Sequence, residues 1–146
     1  MNKKNILQVI TIVLLALWIP SVLDKLVHFT TFKHAVLRQH FPHTLAYIVS
    51  YAIPVLEAVV VFLLVWPRYR RWGFALSTLL MAVFTGYIGL ALSGAWGKIP
   101  CGCGSIISGM SWAQHLWFNL FFLIVSIIGL SISKFDSKPS RVLHPE

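Results

Sequence analysis

Charge is scarce in this sequence: 11% of its 146 residues are charged, and only four are acidic. Soluble domains carry roughly a quarter charged residues, so the composition excludes an ordinary water-soluble domain. Two cysteines, both in one short motif, are too few for a disulfide-dense scaffold, and on their own too few for a zinc or iron-sulfur centre. The chain also lacks a glycine-rich nucleotide loop, a serine triad and paired carboxylates, which removes the usual hydrolase and transferase chemistries. No Cys-x-x-Cys-His haem-attachment pattern and no internal repeat is present.

Apolar residues are abundant: 58% of the chain is hydrophobic and the mean hydropathy is +0.79. They fall into long blocks instead of the alternating runs of a barrel. The blocks Ile6 to Leu23, Leu45 to Trp66, Trp72 to Ser93 and Trp112 to Ile132 each approach the roughly 20 residues that cross a hydrocarbon core. The expected fold is therefore an all-α membrane protein, a four-transmembrane-helix bundle. The first block reads as a retained helix and not a cleaved signal, because Trp18 and Pro20 occupy the positions where small residues would be needed. Trp66, Trp72, Trp96 and Trp112 cluster near the expected ends, where amphipathic rings meet headgroups.

The net charge of +8 does not point to nucleic acid, since the basic residues flank the apolar blocks and form no stripe. It orients the bundle instead. Lys3, Lys4, Arg68, Arg70, Arg71, Lys134, Lys138 and Arg141 fall on one side, and Lys25, Lys33, Arg38 and Lys98 on the other. By the positive-inside rule both termini are expected to be cytoplasmic, and the expected location is a bacterial inner membrane, as a multi-pass protein. Residues 1–134 are expected to form the transmembrane domain, and residues 135–146, with Pro139 and Pro145, a disordered cytoplasmic tail. Between the first two spans, Asp24 to His43 is too polar to cross. Leu26, Phe29, Phe32, Val36 and Leu37 give it an apolar face, so it is expected to lie at the interface as a helix closed by Pro42.

The strongest local signal is Gly97-Lys98-Ile99-Pro100-Cys101-Gly102-Cys103-Gly104-Ser105, a short loop on the periplasmic side of that topology. Cysteines two apart can reach the separation a disulfide tolerates, and Gly102 supplies the backbone freedom that so small a ring needs. Strain in such a ring makes the bond easy to reduce, which suits exchange better than permanent bracing. Two other readings stay open at this level. Paired thiolates suit a soft ion such as Cu(I), with Met110 or His115 as further ligands, and a structural assembly subunit would use the cysteines only for packing.

Further candidates lie in the spans. Glu57, in Ile53-Pro54-Val55-Leu56-Glu57-Ala58, is an intramembrane carboxyl and is expected to face the bundle, either moving protons or fixing helix packing. His115 opens the fourth span just after the cysteine loop and is a candidate proton acceptor for an attacking thiol. Asn119 is a candidate hydrogen-bonding residue between helices. Asp24 and Lys25 each need a partner elsewhere. His28, His34 and His40, at steps of six, point in different directions and cannot share a metal. Ala82 with Gly86, and Gly89 with Ser93, have the spacing that lets a neighbouring helix approach closely.

Taken together, Trp18 with Asp24-Lys25-Leu26, Ile53-Pro54-Val55-Leu56-Glu57, Pro100-Cys101-Gly102-Cys103-Gly104 and Ser111-Trp112-Ala113-Gln114-His115-Leu116-Trp117-Phe118-Asn119 resemble the MauE-like methylamine-utilisation membrane proteins, within the wider DoxX-like group. The resemblance covers most of the chain. It implies a redox-associated membrane protein that supports maturation of a disulfide-rich exported partner, with Cys101 and Cys103 as the redox pair and Glu57 as a bundle-interior residue. Many members continue the cysteine motif with phenylalanine-glycine and carry arginine-asparagine in the last helix. Here Ser105 follows Gly104 and Phe118 precedes Asn119. By analogy with other four-helix membrane redox proteins, a quinone within the bundle is a candidate electron carrier.

Overall fold

The computed structural model describes residues 2–39, 42–95 and 111–136, and among them every regular element is helical. Five helices follow in order: α1 Lys3–Val27, α2 Phe29–Leu37, α3 His43–Val65, α4 Arg70–Leu92 and α5 Trp112–Asp136. All but α2 are long and apolar enough to span a membrane. The four long helices form an up-down-up-down bundle in which α1 packs on α3, α3 on α4, α4 on α5 and α5 back on α1. The short 66–69 turn closes one end. Helix α2 covers the other, where α4 ends and α5 begins.

The inward faces follow helical spacing. Leu7, Ile10, Leu14 and Trp18 of α1 meet Val60 and Leu64 of α3 and Phe74, Leu80 and Met81 of α4 in one apolar core. The outer surface is no less apolar: Ile12, Ile48, Val55, Phe62, Leu79 and Phe121 are all exposed, as expected where lipid replaces water as solvent. Polar residues are turned inward instead, among them Ser50, Glu57, Ser77, Asn119 and Ser126.

Two of the interhelical contacts are close enough to require glycine. A Cβ on Gly73 would lie 2.9 Å from the Leu64 backbone nitrogen, and one on Gly129 would lie 2.8 Å from the Phe74 ring. The small-residue seam expected on α4, by contrast, does not pack against a neighbouring helix. Ala82, Gly86 and Ser93 are exposed, and a Cβ on Gly86 or Gly89 would meet nothing within 4 Å. Spacing identified one face of α4, but the face that packs is the one bearing Gly73, Phe74 and Ser77.

The connection between the first two spans also differs in detail. Asp24 to Val27 belong to α1, and His28 separates it from α2, a helix of nine residues. Helix α3 starts at His43 directly after Pro42, as anticipated. Helix α2 packs on α3 and α1, and a residue just beyond it is tied to α4. Phe32 and Val36 pack on Ala46, and the Lys33 ammonium donates to the Tyr47 hydroxyl (2.7 Å) while sitting 4.1 Å from that ring's centroid. The Tyr87 hydroxyl of α4 donates to Gln39 Oε1 just beyond the end of α2. Helix α5 runs to Asp136, two residues beyond the expected end of the membrane domain, and residues 137–146 of the expected tail lie outside the described residues.

Candidate functional site in the bundle interior

Lys25 sits near the end of α1, one turn after Ser21, so both side chains project from the same face. Long helical side chains lean back toward the helix N-terminus, and Lys25 accordingly reaches into the bundle and not out toward solvent. Its Nζ lies 3.0 Å from Glu57 Oε1 on α3 and donates to Ser21 Oγ at 2.7 Å. The Ser21 hydroxyl in turn donates to Glu57 Oε1 at 3.3 Å. The Lys25 and Glu57 side chains are 14% and 1% exposed, so this is a desolvated pair and not a surface bridge. Phe32 of α2 places its ring 5.7 Å from the ammonium, so α2 contributes to the roof of the pair.

Glu57 therefore faces the bundle, as the sequence suggested, but its partner was not foreseen. Lys25, expected at the end of the first span to need a partner elsewhere, finds it in Glu57, a residue that the sequence did not pair with it. Asp24 has a local partner, since His28 Nδ1 lies 3.1 Å from its carboxylate, one turn along the chain.

The pair leaves an acceptor unused. Glu57 Oε2 and Thr85 Oγ1 are buried and have no hydrogen-bond partner among the described residues. A buried oxygen left without a donor costs free energy, and within a span such a carboxyl is the first place to look for proton or ligand chemistry.

A second polar cluster crosses the bundle. Trp18 Nε1 donates to Ser77 Oγ at 3.0 Å, and Ser77 Oγ is 2.9 Å from Ser126 Oγ, joining α1, α4 and α5. Trp18 is 1% exposed and tilts against Phe84, 6.4 Å between centroids. A Trp in mid-span, away from the headgroup belt, needs a partner for its indole N–H, and that signal together with a serine in each of two other spans was available in the sequence.

Helix α5 opens with a reciprocal capping box, in which the Ser111 N–H donates to Gln114 Oε1 (2.9 Å) and the Gln114 N–H donates to Ser111 Oγ (3.3 Å). This fixes the start of the helix that carries His115. His115 is half-buried in the first turn of α5, which places it at the α2-covered end of the bundle. Asn119 donates to the His115 carbonyl at 3.0 Å, a bond within its own helix and not the interhelical contact expected of it. Among the described residues no three His, Cys, Asp or Glu side chains gather as a metal site. Cys101 and Cys103 lie outside the described residues, as does His40; the chain leaves α4 and re-enters α5 at the end where Lys25 and His115 are found.

The model of the methylamine utilisation protein MauE family matches residues 3–132, from the start of α1 to near the end of α5. The chain belongs to the MauE family. No curated protein and no solved structure matches it. Membership, with four apolar helices of spanning length, makes this a multi-pass membrane protein of the methylamine-utilisation accessory type.

Proposed function

We propose that this MauE-family protein supports maturation of an exported partner by thiol-disulfide exchange through Cys101 and Cys103. The observation that carries the proposal is the Cys-Gly-Cys segment itself, lying inside the family match and bracketed by Pro100 and Gly104. In the exchange, a partner thiolate attacks one sulfur of the Cys101–Cys103 disulfide and expels the other as thiolate. The partner's second thiolate then attacks the mixed disulfide, leaving the partner oxidised and both cysteines reduced. The reverse sequence reduces the partner.

The segment faces the periplasm of a bacterial inner membrane. Basic residues support that orientation more strongly once Lys25 is recognised as an interior partner of Glu57, since the count becomes eight against three. His115 at the same end is the candidate acceptor for thiol protons. Glu57 Oε2 suits the hydroxyl of a quinol, and a quinone, when bound, would supply a two-electron acceptor inside the bilayer.

Replacing Cys101 or Cys103 singly with serine leaves one thiol that can exchange with a partner disulfide and no second thiol to release it. One of the two variants should accumulate a mixed disulfide with an exported protein, visible as a reducible band on non-reducing gels. Unchanged thiol status of exported proteins in both variants counts against the exchange.

A further inference from the structure

At the end of the bundle opposite α2, helices α1 and α3 part to leave an open groove of about 430 Å³. Its walls are of two kinds. Ile12, Leu15 and Val65 form an apolar channel, while Gln8, Thr11 and Arg70 line it as well. Arg70 is held by a hydrogen bond from Nε to the Leu64 carbonyl at 3.4 Å, its one bond among the described residues, which leaves its Nη donors available. Ile12 is 65% exposed, so the groove opens sideways on the lipid-facing surface.

An arginine fork beside a lipid-facing apolar channel has the complementarity of a phospholipid whose headgroup phosphate is anionic and not balanced by a choline. We propose that this groove is a binding site for an anionic phospholipid, with the phosphate on Arg70 and one acyl chain along Ile12 and Leu15. Guanidinium binds phosphate bidentately, and basic pockets between membrane helices are suited to anionic headgroups. Lys3, Lys4 and Arg68 near the same end add to the local positive potential. The proposal is independent of the cysteine chemistry, since the groove lies at the other end of the bundle.

The test uses delipidated full-length protein in a neutral detergent, mixed with equal amounts of dioleoyl-phosphatidylglycerol and dioleoyl-phosphatidylcholine and read by native mass spectrometry. Phosphatidylglycerol should be retained about fivefold over phosphatidylcholine, the ratio expected from one basic residue at a headgroup. Arg70→Gln, and Ile12→Trp, which narrows the groove without changing charge, should each bring the ratio toward one. Equal retention by the unaltered protein, or an unaltered preference in both variants, overturns the proposal. Displacement of the lipid by equimolar glycerol phosphate would also overturn it, because the chain would then contribute nothing. Without any variant, phosphatidylglycerol carrying a photoactivatable acyl chain should label the segments 8–15 and 64–65; labelling spread evenly over the lipid-facing surface would be the contrary result.

Discussion

Removing the Lys25 side chain should expose how much the interior of the bundle depends on one ion pair. Lys25→Met keeps most of the side-chain length, and therefore the packing against Phe32, while stripping Glu57 of its counter-charge. Glu57 is 1% exposed, and its other contact is a long hydrogen bond from Ser21, so water cannot take the place of the ammonium. Breaking a buried pair in this way costs about 3–5 kcal/mol. Glu57→Gln should cost less, roughly 1–3 kcal/mol, because Lys25 retains Ser21 and the Phe32 ring and is already partly exposed. Replacing both, as Lys25→Met with Glu57→Met, removes the charges together and should recover most of the loss, since an apolar substitute for a buried pair is close to neutral. The resulting double-mutant cycle should give a coupling of at least about 2 kcal/mol. Unfolding in mixed micelles, followed by tryptophan fluorescence and helical circular dichroism, measures all four proteins under one condition. Additive losses would refute the reasoning, because they would mean that each side chain contributes without the other.

Other substitutions separate packed from unpacked positions. Gly73→Ala and Gly129→Ala force a Cβ to within 2.9 Å and 2.8 Å of neighbouring atoms and should each destabilise by about 1–3 kcal/mol in the same assay. Gly86→Ala, by contrast, meets nothing and should be neutral or stabilising by up to about 1 kcal/mol. Trp18→Phe loses the bond to Ser77 and part of the ring volume and should cost about 1–3 kcal/mol, while leaving Ser77 and Ser126 paired. The Lys33 ammonium is held above its ordinary titration range, chiefly by the hydrogen bond to Tyr47. Its anchoring of α2 is therefore complete below the ordinary lysine range and is lost as pH rises through the raised folded value. Amide exchange in α2 should accelerate over that alkaline interval, and Lys33→Met should abolish the pH dependence.

The four spans were legible because length and hydropathy alone determine them, and α2 because its apolar residues recur at helical spacing among polar ones. Which face of a span turns inward was not. In water a helix announces its buried face by being apolar there, but in lipid both faces are apolar. The Ala82 to Ser93 seam had the right spacing for close packing and lies on the wrong side of α4. Glu57 was found because a carboxyl in a span stands out, and Lys25 was seen to need a partner, but the two were not matched because the position of Lys25 near the end of α1 resembles that of any flanking charge. Only its lean back into the bundle, where it meets a helix 32 residues further on, reveals the pair. The Ser111-x-x-Gln114 box was readable as a helix start, and it fixes the onset of the helix carrying His115 close after the cysteines.

The measurement that tests the proposed exchange most directly is the redox state of Cys101 and Cys103 in native membranes, equilibrated across a series of glutathione buffers and trapped with a mass-shifting maleimide. The account predicts a reversible intramolecular pair, with a potential near or above the roughly −200 mV of exchange-active proteins, labelled from the periplasmic side. Two thiols that never pair, or that a bound metal protects from the maleimide, would contradict it.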